Sequence, residues 1–192
     1  MKKVFTQSTL KKLSNVTLFF VVLLHVSVAH SISSPLAGVD LRNMQKVTVD
    51  LNQKTNVLLF LSARCPCSQS HEELIKEVSN KFKEFNFVGI HSNSDEPVSE
   101  AHSHFKEKNF PFPIISDPES KLANSFKALK TPHLFILNST TIVYSGGVTD
   151  SSHAPNAKIN YLQDTLLKIQ KGQEIDKEIT RTLGCTIARP ST

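Results

Sequence analysis

The sequence has few cysteines, no basic patch and no second long apolar segment, and each absence excludes a class of protein. Three cysteines among 192 residues are too few for a small domain held together by disulfides. After residue 29, no apolar run approaches the roughly 20 residues that a membrane-spanning helix needs. Since no stretch combines clustered basic residues with aromatic ones, we expect no nucleic-acid partner. Repeats and low-complexity segments are also absent, so the roughly 160 residues beyond 29 are predicted to form one domain.

The first 29 residues are organised like a secretory leader. Four lysines precede an apolar run at residues 16–28, which ends in the small-residue pattern Ser27-Val28-Ala29. We therefore expect residues 1–29 to be a cleaved signal peptide, with an uncleaved membrane anchor as the alternative. Cleavage would leave 18 basic and 17 acidic residues, so that the net charge falls from +5 to +1. The mature chain is predicted to be exported to a bacterial periplasm without stable insertion in the membrane.

The pattern of apolar residues predicts strands that alternate with helices. Residues 57–61 form a continuous apolar run, typical of a strand buried on both faces. Apolar residues at helical spacing then predict a helix of about four turns that starts near Pro66. The remaining predicted elements are a strand at 85–90, a helix at 96–108, a strand at 113–117, a short helix at 122–126, a hairpin of strands at 134–137 and 141–147, and a helix at 159–169.

This order of elements predicts an α/β fold in which helices flank a mixed central β-sheet. Residues 30–45 are polar, with small residues and a proline, and we predict a linker there. The folded domain is expected at residues 46–172. Residues 173–192 show no periodicity and are predicted to be a C-terminal tail that carries Cys185.

Cys65 stands between a predicted buried strand and the predicted helix that follows it. Pro66 suits the first helical position, where its missing N–H costs nothing, so Cys65 is the expected N-cap residue. The positive end of the helix, its free N–H groups and the neighbouring Arg64 would all favour a thiolate at Cys65. Because these effects fade within one helical turn, we predict that Cys65 rather than Cys67 is the nucleophile.

Two further cysteines are candidates for a disulfide with Cys65. Cys67 lies two residues along the helix, where its side chain points to nearly the opposite side, so a Cys65–Cys67 disulfide would be strained. Such a bond could still form if the first turn unwound, and it would be oxidising. Cys185 is the other candidate resolving thiol, since a mobile tail could reach the site. The residues alone leave both alternatives open.

Five segments together form a recognisable pattern. They are Phe60 to Cys67 (FLSARCPC), Phe112 to Asp117 (FPIISD), Lys130 to His133 (KTPH), Tyr144 to Gly147 (YSGG) and Thr182 to Ile187 (TLGCTI). Over roughly residues 46–187 the chain resembles the redoxin (AhpC/TSA-like) family of the thioredoxin-like superfamily. It is similar to an exported bacterial subgroup that also carries Gly-Cys near the C-terminus, which implies that Cys185 is functional.

The resemblance implies a thioredoxin-like fold and a thiol-dependent oxidoreductase that needs no cofactor. Thr131-Pro132 would be a cis-proline turn facing the active-site cysteine, with the Thr131 backbone able to pair with a bound thiol partner. The implied catalytic set is Cys65, Cys67 and Cys185, and the implied substrate-binding set is Ser62, Arg64, Thr131, Pro132 and His133.

Two positions depart from the peroxiredoxin pattern. Ser62 matches the Ser or Thr that peroxiredoxins carry three residues before the reactive cysteine, but Leu58 stands where they carry proline. The arginine that would polarise a peroxide has no match among residues 130–133. We therefore predict thiol–disulfide exchange rather than peroxidase activity, with a thiol or disulfide partner protein or a hydroperoxide as substrate.

His133 suggests an alternative function because it lies beside the predicted cis-proline. Two thiols, Cys65 and Cys67, together with His133 could hold copper or zinc, as in a metallochaperone. For the main function we predict no bound metal. The other histidines considered lie among polar residues and are predicted to be solvated surface residues: His91, His102, His104 and His153.

Overall fold

The computed structural model describes residues 34–52 and 54–191, so the predicted signal peptide at 1–29 lies outside the described residues. Within these two ranges, every helix falls short of the length and apolarity that a membrane crossing requires. The strands are β1 (Leu36–Asp40), β2 (Gln45–Val49), β3 (Thr55–Phe60), β4 (Asn86–His91), β5 (Ile114–Ser116), β6 (Lys130–Thr131), β7 (His133–Asn138), β8 (Thr141–Gly146) and β9 (Cys185–Thr186). The helices are α1 (Pro66–Lys81), α2 (Val98–Lys108), α3 (Lys121–Ser125), α4 (Tyr161–Gln170) and a 3-10 turn at Ala154–Asn156.

A mixed sheet of seven strands forms the centre of the molecule, which confirms the predicted fold class. Its strand order is β2-β1-β5-β4-β3-β7-β8. β3 pairs in parallel with β4 and antiparallel with β7, and β4 pairs in parallel with β5. Ligand sites of such sheets lie beyond the carboxyl ends of the parallel strands. The segment that follows β3 and carries Cys65 is at such an end.

Alternate residues of β3 enter two hydrophobic clusters, one on each face of the sheet. Val57 and Leu59 belong to the cluster that also contains apolar residues of α1, α2 and α4. Phe60 belongs to the other cluster, with Ala123 of α3 and Ile187 of the tail. Successive side chains of a strand point to opposite faces, so both faces of β3 are covered. This explains why its sequence is a continuous apolar run.

The predicted linker at residues 30–45 is wrong where the structure describes it, because residues 36–40 form β1. This strand pairs antiparallel with β2 and joins the main sheet beside β5. The buried Asp40 carboxylate holds the hairpin in place by accepting hydrogen bonds from the N–H groups of Arg42 (3.0 Å) and Ile114 (3.1 Å). The Arg42 side chain also donates to it, at 2.7 Å. The hairpin with β2, together with the contact with β5, therefore makes residues 36–40 a strand.

Candidate active site at the start of helix α1

Cys65 lies at the junction of β3 and α1, as the sequence predicts. It is the N-cap residue of α1, with an extended backbone (φ −71°, ψ 116°), and Pro66 begins the helix. No N-cap side-chain hydrogen bond occupies the helix start, so its N–H groups can face a thiolate sulfur. Cys65 is buried, with 3% of its surface exposed, whereas Cys67 is half-buried. The structure thus confirms the predicted position of Cys65 at the helix start, and the reactivity of its thiol stays a prediction.

Glu96 is a buried carboxylate that holds the loop carrying Cys65. It accepts hydrogen bonds from the Ser62 hydroxyl and, at 2.8 Å, from the Ala63 N–H. His91 Nε2 lies 2.9 Å from Glu96 Oε2. Burial raises the pKa of Glu96, but the hydrogen bonds from His91 and Ser62 outweigh burial and lower that pKa overall. Glu96 is therefore ionised at neutral pH and ties β4 to the Cys65 loop.

Ser62 connects Glu96 to the backbone of the Cys65 loop. Its Oγ accepts hydrogen bonds from the N–H groups of Cys65 (2.9 Å) and Arg64 (3.3 Å) while donating to Glu96. Its own N–H donates to Ser68 Oγ at 3.1 Å. Ser62 is only 1% exposed, so these contacts make it a positioning residue of the loop. Its role in substrate binding stays a prediction.

The guanidinium of Arg64 is paired with a carboxylate on α2. Its Nε donates to Glu100 at 2.7 Å, and its Nη1 donates to the carbonyl oxygen of Asp95 at 3.0 Å. The hydrogen bond with Glu100 raises the pKa of Arg64. Because Glu100 neutralises this exposed cation, the structure gives no support to the expectation that Arg64 helps to form the Cys65 thiolate.

Thr131-Pro132 has a cis peptide bond, as the family resemblance implied. Thr131 belongs to β6, and the C-terminal tail pairs with it: β9 runs antiparallel to β6, with Cys185 opposite Thr131 and Thr186 opposite Lys130. The carbonyl oxygen of Thr131 lies 3.2 Å from Cys65 Sγ. The backbone edge at Thr131, expected to pair with a thiol partner, therefore holds the chain's own tail.

A disulfide joins Cys65 to Cys185, across 120 residues of sequence. The two Cα atoms are 6.0 Å apart, a usual separation for disulfides. Cys67 is free, yet its sulfur and those of Cys65 and Cys185 all lie within 4.8 Å of one another. Of the two alternatives that the sequence left open, this structure pairs Cys65 with the tail cysteine.

His133 occupies β7, opposite Phe60 of β3. Burial lowers the pKa of His133 to about 4, so its imidazole is neutral at pH 7. Its Nε2 lies 3.3 Å from Ser145 Oγ. Among the described residues, the group that could hold a metal consists of the three cysteines and does not include His133. The predicted ligand set of Cys65, Cys67 and His133 is therefore wrong.

The prediction for the other histidines fails at three of the four positions. His91 is buried against Glu96. His102 Nδ1 lies 2.6 Å from the carbonyl oxygen of Leu41, and His104 Nε2 lies 2.6 Å from the buried carboxylate of Glu72. His153 is exposed, as expected. The polar residues around these histidines in the sequence do not reveal the tertiary contacts that His91, His102 and His104 make.

Sequence reasoning missed two residues of the site, His71 and Glu96, and did not explain a third, Gly184. His71 lies one helical turn after Cys67, and its Nδ1 donates to the Cys67 carbonyl at 2.7 Å; this spacing was a usable signal. Gly184 lies so close to Thr131 that an added Cβ would be 2.0 Å from the Thr131 oxygen. The Gly-Cys pair was visible in the sequence, but the contact that requires glycine was not. Glu96 has no local sequence signal, because it reaches the site through tertiary contacts.

Comparison with solved structures places the fold among thioredoxin-like proteins. An uncharacterized conserved protein of Geobacillus kaustophilus aligns with a TM-score of 0.72 and 22% identity, covering 82% of this chain and 90% of that chain. A hypothetical protein of Sinorhizobium meliloti 1021 aligns with a TM-score of 0.74 and 18% identity, and the alignment covers 84% of this chain and 94% of that chain. The thioredoxin domain of a thiol-disulfide oxidoreductase of Bacteroides vulgatus aligns with a TM-score of 0.56 and 18% identity, and the alignment covers 73% of this chain and 96% of that chain.

The sequence comparisons agree with this fold. No curated protein matches the chain. Residues 34–150, which contain the Cys65 loop and the cis-proline turn, match the AhpC/TSA family. The tail with Cys185 lies beyond the matched region. Since the match covers more than half of the sequence, the chain belongs to the AhpC/TSA family.

Proposed function

We propose that the protein is an exported thiol–disulfide oxidoreductase in which Cys65 is the nucleophile and Cys185 the resolving thiol. The single observation that carries this proposal is the Cys65–Cys185 disulfide, formed at a helix start and opposite the Thr131-Pro132 turn. A helix N-terminus lowers the pKa of a thiol, which increases the fraction of reactive thiolate at neutral pH.

The proposed reaction transfers two electrons from the protein to a substrate disulfide. The Cys65 thiolate attacks one substrate sulfur, forming a mixed disulfide and releasing the other sulfur as a thiolate. The Cys185 thiolate then attacks Cys65 Sγ, forming the Cys65–Cys185 bond and releasing the second substrate thiolate. The substrate is thereby reduced to a dithiol, and an external dithiol reductant returns the protein to its reduced form.

Disulfide exchange is favoured over peroxide reduction by the surroundings of Cys65. Exchange requires a thiolate, a leaving thiol and an open backbone edge, and Thr131 supplies such an edge once the tail leaves it. Peroxide reduction requires a cation to polarise the peroxide, but the neighbouring Arg64 is paired with Glu100. Leu58 and residues 130–133 also lack the proline and arginine of the peroxiredoxin pattern.

Single-turnover kinetics of the reduced protein test the proposal. We expect oxidised glutathione or a peptide disulfide to oxidise the protein at least about tenfold faster than equimolar hydrogen peroxide, with mass mapping showing a Cys65–Cys185 link. Cys65→Ser should abolish the reaction, and Cys185→Ser should trap the mixed disulfide. Cys67→Ser should retain the Cys65–Cys185 link. A faster reaction with peroxide would instead establish a peroxidase.

Export is proposed from the N-terminal sequence. Expression of the full chain in a Gram-negative host should place the protein in the periplasmic fraction, with His30 as its first residue after cleavage behind Ala29. Intact mass and N-terminal sequencing check this outcome. Recovery of the uncleaved chain in the membrane fraction would establish an anchor instead.

A second candidate function is binding of a soft metal by the reduced protein. It is favoured by the three sulfurs of Cys65, Cys67 and Cys185, which lie within 4.8 Å of one another. Thiolates favour soft metals such as Cu(I) and zinc, and three of them suit a trigonal Cu(I) site. Titration with Cu(I) against a competing chelator should show one site that Cys185→Ser weakens and His133→Gln leaves intact. Absence of a tight site rejects this function.

A further inference from the structure

The C-terminal tail follows the surface of the site as an extended strap. Ser145 on β8 exchanges two backbone hydrogen bonds with it: its N–H donates to the Glu178 carbonyl at 2.8 Å, and its carbonyl accepts from the Thr180 N–H at 3.0 Å. Further on, β9 pairs with β6, and the Ile187 N–H donates to the Leu129 carbonyl at 2.9 Å. The tail is therefore bound through its backbone, as a bound peptide would be.

The position before Cys185 has room only for glycine. A Cβ added to Gly184 would lie 2.0 Å from the carbonyl oxygen of Thr131 and 2.8 Å from its carbonyl carbon. Both atoms belong to the backbone, so they cannot move aside as the end of a flexible side chain could. Any larger residue here would push the cysteine away from Cys65. The groove thus selects the residue that precedes the reacting cysteine.

The two positions after Cys185 differ sharply in burial. Thr186 is exposed, so its side chain is free to vary. Ile187 is 3% exposed and joins the hydrophobic cluster that contains Phe60, Phe126 and Phe135. An aliphatic side chain two residues after the cysteine therefore gains burial that a polar one would lack. Together with the glycine requirement, this defines the pattern Gly-Cys-x-aliphatic.

We propose that the groove formed by Cys65 and residues 129–131 recognises an extended partner polypeptide with the sequence Gly-Cys-x-aliphatic, and that the tail is an internal copy of this ligand. The inference rests on the proposed function of Cys65 and names its substrate class. The partner cysteine would enter as a disulfide, and its sulfur would take the position of Cys185 Sγ when the Cys65 thiolate attacks it.

Partner and tail exclude each other, because both require the backbone edge of Thr131. The tail must leave for the partner to bind, and it must return for Cys185 to attack Cys65 Sγ. The attack forms the Cys65–Cys185 bond, breaks the mixed disulfide and releases the partner cysteine as a thiolate. Return of the tail to the groove thus displaces the reduced partner from the edge that held it.

The test uses the full chain with Gly184→Ala and Cys185→Ser, which removes the resolving thiol and disfavours tail docking. The probe is the peptide Thr-Leu-Gly-Cys-Thr-Ile-Ala with its cysteine bonded to 5-thio-2-nitrobenzoate. The Cys65 thiolate attacks the peptide sulfur and releases coloured thionitrobenzoate. We expect peptides with alanine for glycine, or serine for isoleucine, to react at least about tenfold more slowly, and alanine for the second threonine to change little.

The controls separate this inference from the proposed function. Equal rates for all peptides would contradict recognition of the Gly-Cys-x-aliphatic sequence by the groove. Rapid reaction with a small aromatic disulfide would still support Cys65 as a nucleophile. No reaction with any disulfide contradicts both. Should the double variant fail to fold, Cys185→Ser alone, with excess peptide, should give the same order of rates.

Competition between the tail and the peptide for the groove is tested by comparing three variants. The double variant Gly184→Ala/Cys185→Ser should react with the glycine peptide several times faster than Cys185→Ser, because its tail no longer occupies the groove. Thr186→Ala/Cys185→Ser is the matched control in the same segment, and it should behave like Cys185→Ser. Equal rates for all three proteins would show that the tail does not compete for this groove.

Discussion

At the scale of single residues, the site depends on a buried carboxylate that no local pattern revealed. The positions of Cys65 and Pro66 could be predicted because a strand end and a helix start follow from neighbouring residues, whereas the cis-proline turn at Thr131-Pro132 was implied by the family resemblance. The role of Glu96 could not be predicted, since its function depends on β4 and the Cys65 loop meeting in space. The sequence also predicted Glu96 as the first residue of a helix at 96–108. In the structure α2 begins at Val98, so Glu96 belongs to the preceding loop.

The first prediction concerns this carboxylate. Glu96→Gln removes the charge that three neighbouring donors surround, so we expect a loss of about 2–3 kcal/mol in the free energy of unfolding and slower alkylation of Cys65. Urea denaturation and timed iodoacetamide labelling of the reduced protein measure the two effects. Glu100→Gln, at an exposed ion pair, is the matched control and should have a much smaller effect. Equal losses in both variants would contradict the role assigned to Glu96.

A second prediction concerns His133 and pH. Its pKa is lowered by burial from 6.5 to about 4, so the unfolded chain binds a proton that the folded protein does not bind between these values. The contribution of neutral His133 to the free energy of unfolding is therefore complete above about pH 6.5. It is lost as the pH falls towards 4, by up to about 3 kcal/mol.

In the variant His133→Gln, this part of the pH dependence should disappear. Urea denaturation at several pH values between 4 and 7 measures it. A residual slope is expected from His71, whose pKa burial also lowers. An unchanged slope in His133→Gln would show that this histidine is not the group responsible.

At the scale of elements, the sequence predicted best those that carry a continuous or periodic apolar pattern. β3, α1, β7 and α4 were all located within a few residues, because each buries a whole face. β1 and β9 were missed because each is short and is held by backbone pairing, β1 with β2 and β5, and β9 with β6. The segments predicted as a linker and a tail therefore each contribute a strand to the fold.

The attachment of the tail to β8 yields the third prediction. The Tyr144 hydroxyl donates to the Gly147 carbonyl at 2.8 Å and lies 2.6 Å from Thr180 Oγ1, so it joins the tail to the end of β8. Tyr144→Phe should lower stability by about 1 kcal/mol and accelerate amide hydrogen exchange around residue 180. Tyr161→Phe on α4 is the matched control. Unchanged exchange near residue 180 would mean that backbone pairing alone holds the tail.

At the scale of the whole molecule, one covalent bond closes a loop that contains all four α-helices of the described residues. The Cys65–Cys185 disulfide spans 120 residues, from the centre of the sheet to the tail. A disulfide that closes a loop of this length lowers the conformational entropy of the unfolded chain, which stabilises the folded state by up to about 5 kcal/mol. The oxidised protein should therefore be much more stable than the reduced one, although both have the same core.

This gives the last prediction. Treatment with dithiothreitol should lower the urea midpoint of the wild-type protein, and the difference in the free energy of unfolding should approach about 5 kcal/mol. Cys65→Ser/Cys67→Ser keeps a single cysteine and can form no disulfide within the chain, so reductant should leave its midpoint unchanged. Cys67→Ser should respond like wild type, because Cys67 is outside the disulfide. If the wild-type midpoint were insensitive to reductant, the tail would be held by its noncovalent contacts alone. Cys185 would then not provide the cross-link on which the proposed redox cycle depends.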